Sequence, residues 1–370
     1  MNDSHDLPAQ SHSPIPPDAA PPTSFSSEFR AALPAGPEPF SFSARGSEYF
    51  RIWIVNLLLS VLTLGIYSAW AKVRRLRYFY DNTSVAGSSF DYHGNPKAIL
   101  KGRVIAVVLL AIHHFASSIN PMLGLLAALA LAFAGPWLIW RSLQFKLYNT
   151  SYRGIRFGFG GSAGGVFRNF WAWPMLGAVS LGLLAPLAYQ RFKRYQHGQT
   201  RFGATQFSFH GSVWAFYKAF LAGAGLWLAG VLVFFFSLGG LGSLASLQAG
   251  GLYGLLLVLL LYGWTFTAFP LLMTLLQNLV WNSTRLGEHQ FRSTMRWPRA
   301  VFISLTNLLG IACTLGLYTP FAQVRMMRYR IESLTLLPTG SLDDFLASSE
   351  AHGSATSEGL GDLLDFDLSM

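Results

Sequence analysis

The chain has 370 residues, of which 52% are hydrophobic, 15% aromatic and only 12% charged. Soluble domains carry roughly a quarter charged residues, so an ordinary water-soluble fold is excluded, and 30 Phe with 11 Trp exclude disorder across the body. A single cysteine, Cys313, excludes an intramolecular disulfide and a cysteine-built zinc site, and the net charge of +10 hides a division into three blocks.

The first block, residues 1–49, carries six acids against two bases, and half of the 18 prolines precede residue 40. This composition predicts a disordered Pro-rich tail over residues 1–39. No charged start leads into a short apolar core with a small-residue cleavage site, so no cleaved signal peptide is expected. The second block, residues 50–337, holds 25 Lys and Arg against four acids, Asp81, Asp91, Glu288 and Glu332. Its bases sit between long apolar runs rather than on an amphipathic soluble face, which argues against a nucleic-acid partner and for loops beside anionic membrane lipids.

Residues 52–71 form the first apolar segment, with Arg51 before it and Lys72, Arg74, Arg75 and Arg77 after it. Residues 104–119 and 122–140 follow as a pair whose inner linker, 117–121, carries no charge. Residues 170–189 are again basic on both sides, while 219–238 and 252–276 form a second pair around the uncharged linker 239–251. The last segment, 301–322, has arginines on both flanks. A helix needs about 20 apolar residues to cross a bilayer, and basic flanks stay on the cytoplasmic side. The two pairs therefore read as transmembrane hairpins. The three segments with two basic flanks read first as broken helical hairpins with both ends cytoplasmic, and second as ordinary single spans.

Each of those three segments contains Leu-Gly near its centre, at Thr63-Leu-Gly65, Ser180-Leu-Gly182 and Thr314-Leu-Gly316. Residues 63–78 align without a gap to 180–195 and 314–329, giving three related units at about 50–95, 167–212 and 300–337. A weaker copy starts at Pro136 and a looser one at Pro270. The repeated positions are Arg74, Arg191 and Arg325, then Arg77, Arg194 and Arg328, then Tyr78, Tyr195 and Tyr329. Residues i, i+3 and i+4 share one helical face just past the apolar run. Stop-transfer anchoring is the plain reading of these side chains, and contact with an anionic lipid headgroup or solute is the sharper one.

A second pattern follows each unit: Asn82-Thr83 with Gly87 and Phe90, Asn149-Thr150 with Gly154 and Phe157, and Gln199-Thr200 with Gly203 and Phe207. Asn282, Thr284, Gly287 and Phe291 echo it. Alternation around a glycine predicts small cytoplasmic β-hairpins that pair with one another. Two copies end in aromatic-His-Gly, which makes His93 and His210 turn histidines or a site pair. His113-His114 is the ionisable pair inside an apolar run, and 196 residues between Asp91 and Glu288 lack any carboxylate. No catalytic residue, metal site or cofactor motif is identified, and Phe159-Gly-Gly-Ser-Ala-Gly-Gly165 reads as a flexible linker rather than a phosphate loop. The third block, residues 338–370, has seven acids and no base. It reads as a disordered acidic tail, solvating or docking a protein partner.

The stretch from Gly65 through Tyr80, with Asn82-Thr83 and Phe90-Asp-Tyr-His-Gly-Asn-Pro onward to Arg103, resembles the YjgN-like family of bacterial inner-membrane proteins over about residues 38–335. The resemblance implies a multi-pass inner-membrane protein and supplies no catalytic residue. The expected fold is an all-α polytopic helical bundle, with internal repeats of broken helical hairpins plus small cytoplasmic β-hairpins. The membrane domain runs over 40–337, and both tails are cytoplasmic. Three functions follow in order: a non-catalytic, lipid-associated or transport-type component; a scaffold binding anionic lipid and partner proteins; and a membrane enzyme acting on lipid headgroups through His93 and His210.

Overall fold

A computed structural model describes residues 36–237 and 251–340. The expectations for the Pro-rich tail up to residue 35, for residues 239–250 of the uncharged linker and for the acidic tail beyond residue 340 lie outside the described residues.

The all-α expectation is overturned, because eleven strands form one antiparallel sheet. Five passages of strand, two helices and strand build the molecule in sequence. The first is β2 (Ser41–Phe42), α1 (Gly46–Leu62), α2 (Ser68–Asp81) and β3 (Thr83–Val85). The second is β4 (Ser88–Tyr92), α3 (Pro96–Ile119), α4 (Pro121–Tyr148) and β5 (Thr150–Tyr152). The third starts with β6 (Ile155–Phe159) and α5 (Ala163–Val166), which runs through a π-helical stretch, Phe167–Ala172, into α6 (Trp173–Val179). It returns by α7 (Ala185–Gly198) to β7 (Thr200–Phe202). The fourth is β8 (Thr205–Phe209), α8 (Val213–Ser237), α9 (Gly251–Asn282) and β9 (Thr284–Leu286). The fifth is β10 (His289–Ser293), α10 (Trp297–Cys313), α11 (Thr319–Glu332) and β11 (Leu334–Leu337).

With β1 at Glu38–Pro39, the strand order is β1-β11-β10-β9-β8-β7-β6-β5-β4-β3-β2. Its two ends, β1 (Glu38–Pro39) and β2, belong to one extended segment interrupted only by Phe40. That segment pairs with β11 on one side and with β3 on the other, so the sheet closes on itself as a small barrel. The helices close in step. Each returning helix packs on the outgoing helix of the next passage, and α11 packs on α1 to complete the circle.

Local sequence explains the turns. At Ala86-Gly87 and Arg153-Gly154 both loop residues take positive φ, the demand of a type I′ hairpin. In the Leu-Gly helical turns the leucine itself is left-handed, with φ of 49°, 52° and 50° at Leu64, Leu181 and Leu315. There the Leu64 amide bonds Val61 O and the Gly65 amide bonds Ser60 O, the two bonds of a Schellman ending. Thr63 Oγ1 donates to Leu59 O and accepts from the Tyr67 amide, so one hydroxyl ends α1 and starts the next turn. Thr314 and Ser180 repeat the arrangement. Backbone groups at these tips are thereby satisfied internally, which a tip surrounded by hydrocarbon requires. The three leucines are each 95% exposed.

Four helices, α3, α4, α8 and α9, are long and apolar enough to cross a membrane. The 17-residue limbs α1 and α10 are shorter, about 25 Å at 1.5 Å per residue. Short helical hairpins (passages one, three and five) thus alternate with long ones (two and four) around the ring, with passages one and five side by side. One apolar cluster fills the barrel, from Val85, Tyr152, Ile155, Phe202, Leu286, Phe291 and Leu336.

Candidate functional site

The repeated arginines and tyrosines occupy related positions in successive passages. Tyr78 Oη accepts from the Arg45 amide at 2.9 Å and donates to Arg45 O at 3.0 Å. Tyr329 does the same to Arg296, at 2.7 and 2.9 Å, and Tyr195 donates to Ser162 O at 3.0 Å. Each tyrosine therefore clamps the start of the outgoing helix 33 residues earlier. Burial raises the Tyr78 and Tyr195 hydroxyls above the ordinary phenol range, which keeps both protonated as donors.

Arg325 Nη1 donates to Thr306 Oγ1 at 2.7 Å, with Asn307 Oδ1 at 3.4 Å, and its guanidinium lies over Phe302. Arg191 lies over the Trp173 ring, 18 residues earlier, the spacing that separates Arg325 from Asn307. The same step from Arg74 reaches Asn56, whose Oδ1 is buried without a partner among the described residues. Arg328 Nη2 reaches Ala44 O at 2.6 Å and Arg77 Nε reaches Tyr92 O at 3.5 Å, each on the next passage around the ring. Arg194 is exposed.

His93 Nε2 bonds Ser151 Oγ at 2.8 Å and His210 Nε2 bonds Ser208 Oγ at 3.1 Å. The two histidines are exposed at turns two hairpins apart and are not brought together. The glycine after each is required by packing: a Cβ at Gly94 would meet the Tyr92 ring at 2.5 Å, and one at Gly211 would meet Phe209 at 2.6 Å. The stretch read as a flexible linker is ordered. Ser162 Oγ caps α5 by accepting from the Gly165 amide at 3.1 Å, and Gly161 and Gly165 leave room for the Tyr195 hydroxyl. Among the described residues no three His, Cys, Asp or Glu gather as a metal site would need.

The barrel interior carries a feature that the sequence patterns only partly exposed. Phe90, Phe157, Phe207 and Phe291, the phenylalanines of the repeated hairpin pattern, are joined by Phe40 from the closing segment. Successive rings stack around the barrel with centroids 6.4 Å apart for Phe40–Phe90, Phe90–Phe157 and Phe157–Phe207, and 6.2 Å for Phe207–Phe291. Phe40, Phe90, Phe157 and Phe207 remain partly exposed although they pack on the core. Phe40 escaped the sequence reading because its copy of the pattern is divided between the two ends of the described chain.

His197 was also missed. It sits where α7 meets the sheet, with Nδ1 3.3 Å from Thr284 Oγ1 and its ring against Phe209 and Trp281. Thr284 spends its proton on Val280 O, so His197 Nδ1 is the donor in their bond. Burial, helped by the nearby Lys193 charge, lowers its pKa to about 4, and the ring is neutral at pH 7.

A family model described as "Bacterial protein of unknown function (DUF898)" matches residues 37–363. A protein of Escherichia coli O157:H7 named "Inner membrane protein YjgN" is 33% identical over 149 residues, covering 39% of this chain and 36% of that protein. The Salmonella typhimurium protein of the same name is 33% identical over 145 residues, covering 38% of this chain and 36% of its own. The match thus spans little more than a third of the length of these curated relatives. No solved structure matches the chain. With these relatives and four helices of membrane-crossing length, the chain is a membrane protein.

Proposed function

The chain belongs to the DUF898 family of bacterial proteins of unknown function, and from that premise we propose that it is a transport-type component of the bacterial inner membrane. In this reading a ring in the bilayer passes a small solute along its axis and through the phenylalanine collar. The relatives' names support the location, and the basic ends of the returning helices support a cytoplasmic sheet.

The observation that carries the reading is double closure. Strands and helices each complete a circle about one axis, and the strand circle is lined by the partly exposed phenylalanines. An anchor or scaffold needs apolar helices and a basic face, but it has no use for a ring. Four successive gaps of 6.2 to 6.4 Å correspond to centroids about 5 Å from a common centre in a regular five-membered ring, which is a closed gate rather than an open pore.

Reconstitution into liposomes tests this. Replacing Phe90, Phe157 and Phe207 with alanine should speed the entry of a small quenching anion, iodide, into vesicles loaded with a fluorophore, relative to wild-type protein. Equal rates for empty vesicles, wild type and the triple variant would remove the transport reading.

A further inference from the structure

The helices that return to the sheet, α2, α4, α7, α9 and α11, alternate in the ring with the outgoing ones. Lys146, Lys193, Gln277 and Arg330 lie near their sheet-side ends and Lys72 lies nearer the tip of α2, one residue from each passage. Arg330 Nε donates to Gln277 Oε1 at 2.7 Å, and Gln277 Nε2 donates back to Arg330 O at 3.3 Å. Lys193 Nζ donates to Gln196 Oε1 at 3.0 Å and stands 5.7 and 5.2 Å from the ring centres of Tyr189 and Phe192.

Lys193 lies within electrostatic reach of both Arg330 and Lys146, and Lys72 within reach of Lys146, Arg103 and Arg75. Around the ring, α7 and α11 are separated by α8, α9 and α10. Lys193 and Arg330 therefore approach each other across the axis, not along the wall. Lys72, Lys146 and Arg330 are exposed and Lys193 is half-buried, so solvent reaches the group.

Among the described residues no carboxylate acts on Lys72 or Lys193. Burial and like charges push Lys72 down and Lys193 down to about 8. Cations gathered on a partly dry axis repel one another, and the arrangement is strained until an anion joins it. Three ammonium groups and a guanidinium reaching in from four helices suit an ion with oxygens on every side. Lysine is a common point-charge partner of phosphate, whereas a planar carboxylate is best matched by a single bidentate arginine.

We propose that Lys72, Lys146, Lys193 and Arg330 form an axial binding site for a phosphate-class oxyanion, on the helix side of the phenylalanine collar. The proposal names the solute class for the transport reading, and it rests on that reading for the anion's route to the axis. The phosphate has two sources, a free ion or the headgroup of an anionic lipid.

The test uses the full chain in detergent, with inorganic phosphate as the probe and chloride and acetate as controls at equal ionic strength. Phosphate should raise the melting temperature of the wild type, followed by tryptophan fluorescence, above that in either control. The double variant Lys193→Gln/Arg330→Gln should lose this shift. Its melting temperature without phosphate should equal or exceed that of the wild type, because the repulsion is gone. Arg292→Gln, on the outer face of β10, should keep the full shift.

In a second arm, native mass spectrometry follows lipid after passage through nanodiscs of phosphatidylglycerol or phosphatidylcholine. Preferential retention of phosphatidylglycerol, abolished in the double variant, assigns the site to a headgroup. A phosphate shift without that retention assigns it to the free ion. Equal shifts from phosphate, chloride and acetate, together with lipid retention unchanged in the double variant, overturn the site. So does a double variant that is less stable than wild type before any phosphate is added. A protein that binds phosphate yet passes no solute in liposomes removes the transport reading and leaves this site standing.

Discussion

Acidification offers a direct test of the packing where α7 meets the barrel. His197 has a pKa of about 4 in the folded chain against 6.5 for a free histidine, chiefly because its ring is buried against Phe209 and Trp281 and secondarily because Lys193 is near. The folded state therefore binds fewer protons than the unfolded state between these values. Stability from this group is fully present above pH 6.5 and is lost as the pH falls through 4. The displacement corresponds to about 3 kcal/mol, at 1.36 kcal/mol per unit. His197→Phe keeps an aromatic ring beside Phe209 and Trp281 but has no proton to gain. Tryptophan fluorescence melts in detergent, at intervals from pH 7 to pH 4, should show the wild type losing several degrees more than the variant. The difference between the two curves isolates His197 from His289, whose burial also lowers its pKa. Parallel loss in both proteins across this window would refute the reasoning.

Further outcomes follow from other contacts. Tyr329→Phe removes both bonds to the exposed Arg296 backbone at the start of α10, so it should lower stability by about 1 kcal/mol in the same melts. Gly230→Ala places a methyl group inside the Trp264 ring, which packs on α8 and donates to Leu226 O and Trp227 O. It should separate α8 from α9 and sharply reduce the yield of monodisperse protein on size-exclusion chromatography, whereas Gly225→Ala, with open space around it, should not. Gly65→Ala forces a β-carbon onto φ of +91° and should cost about 1 kcal/mol although nothing stands within 4 Å of it.

The local signals in the sequence located much of the wall of this molecule and little of its closure. Thr63-Leu-Gly65 and its two copies mark helical turns because a hydroxyl cap and a left-handed pair are local devices. The Asn-Thr, Gly, Phe pattern marks hairpins for a similar reason: Thr83, Thr150, Thr200 and Thr284 each bond the carbonyl four residues earlier and end a helix where a strand begins. The all-α reading failed because strands of two to five residues give a weak signal beside helices of up to 32. Their closure into a ring depends on Glu38–Pro39 meeting Leu334–Leu337, a pairing across almost the whole described chain. Periodicity placed Arg325 and Tyr329 on one helical face but could not say what that face meets. Lys193 and His197 drew no notice because other passages of the chain create their surroundings.

The fifth hairpin of the barrel is assembled from β11 and the segment containing β1 and β2, whereas the other four are continuous in the chain. During synthesis four hairpins are complete while two sheet edges still wait, unpaired, for a strand that leaves the ribosome late. Such edges invite pairing with another chain. The same division makes the order of the passages arbitrary in space. A circular permutant that links residue 340 back to residue 36 and opens the chain at Gly154 should rebuild the same molecule, with a different hairpin left until last.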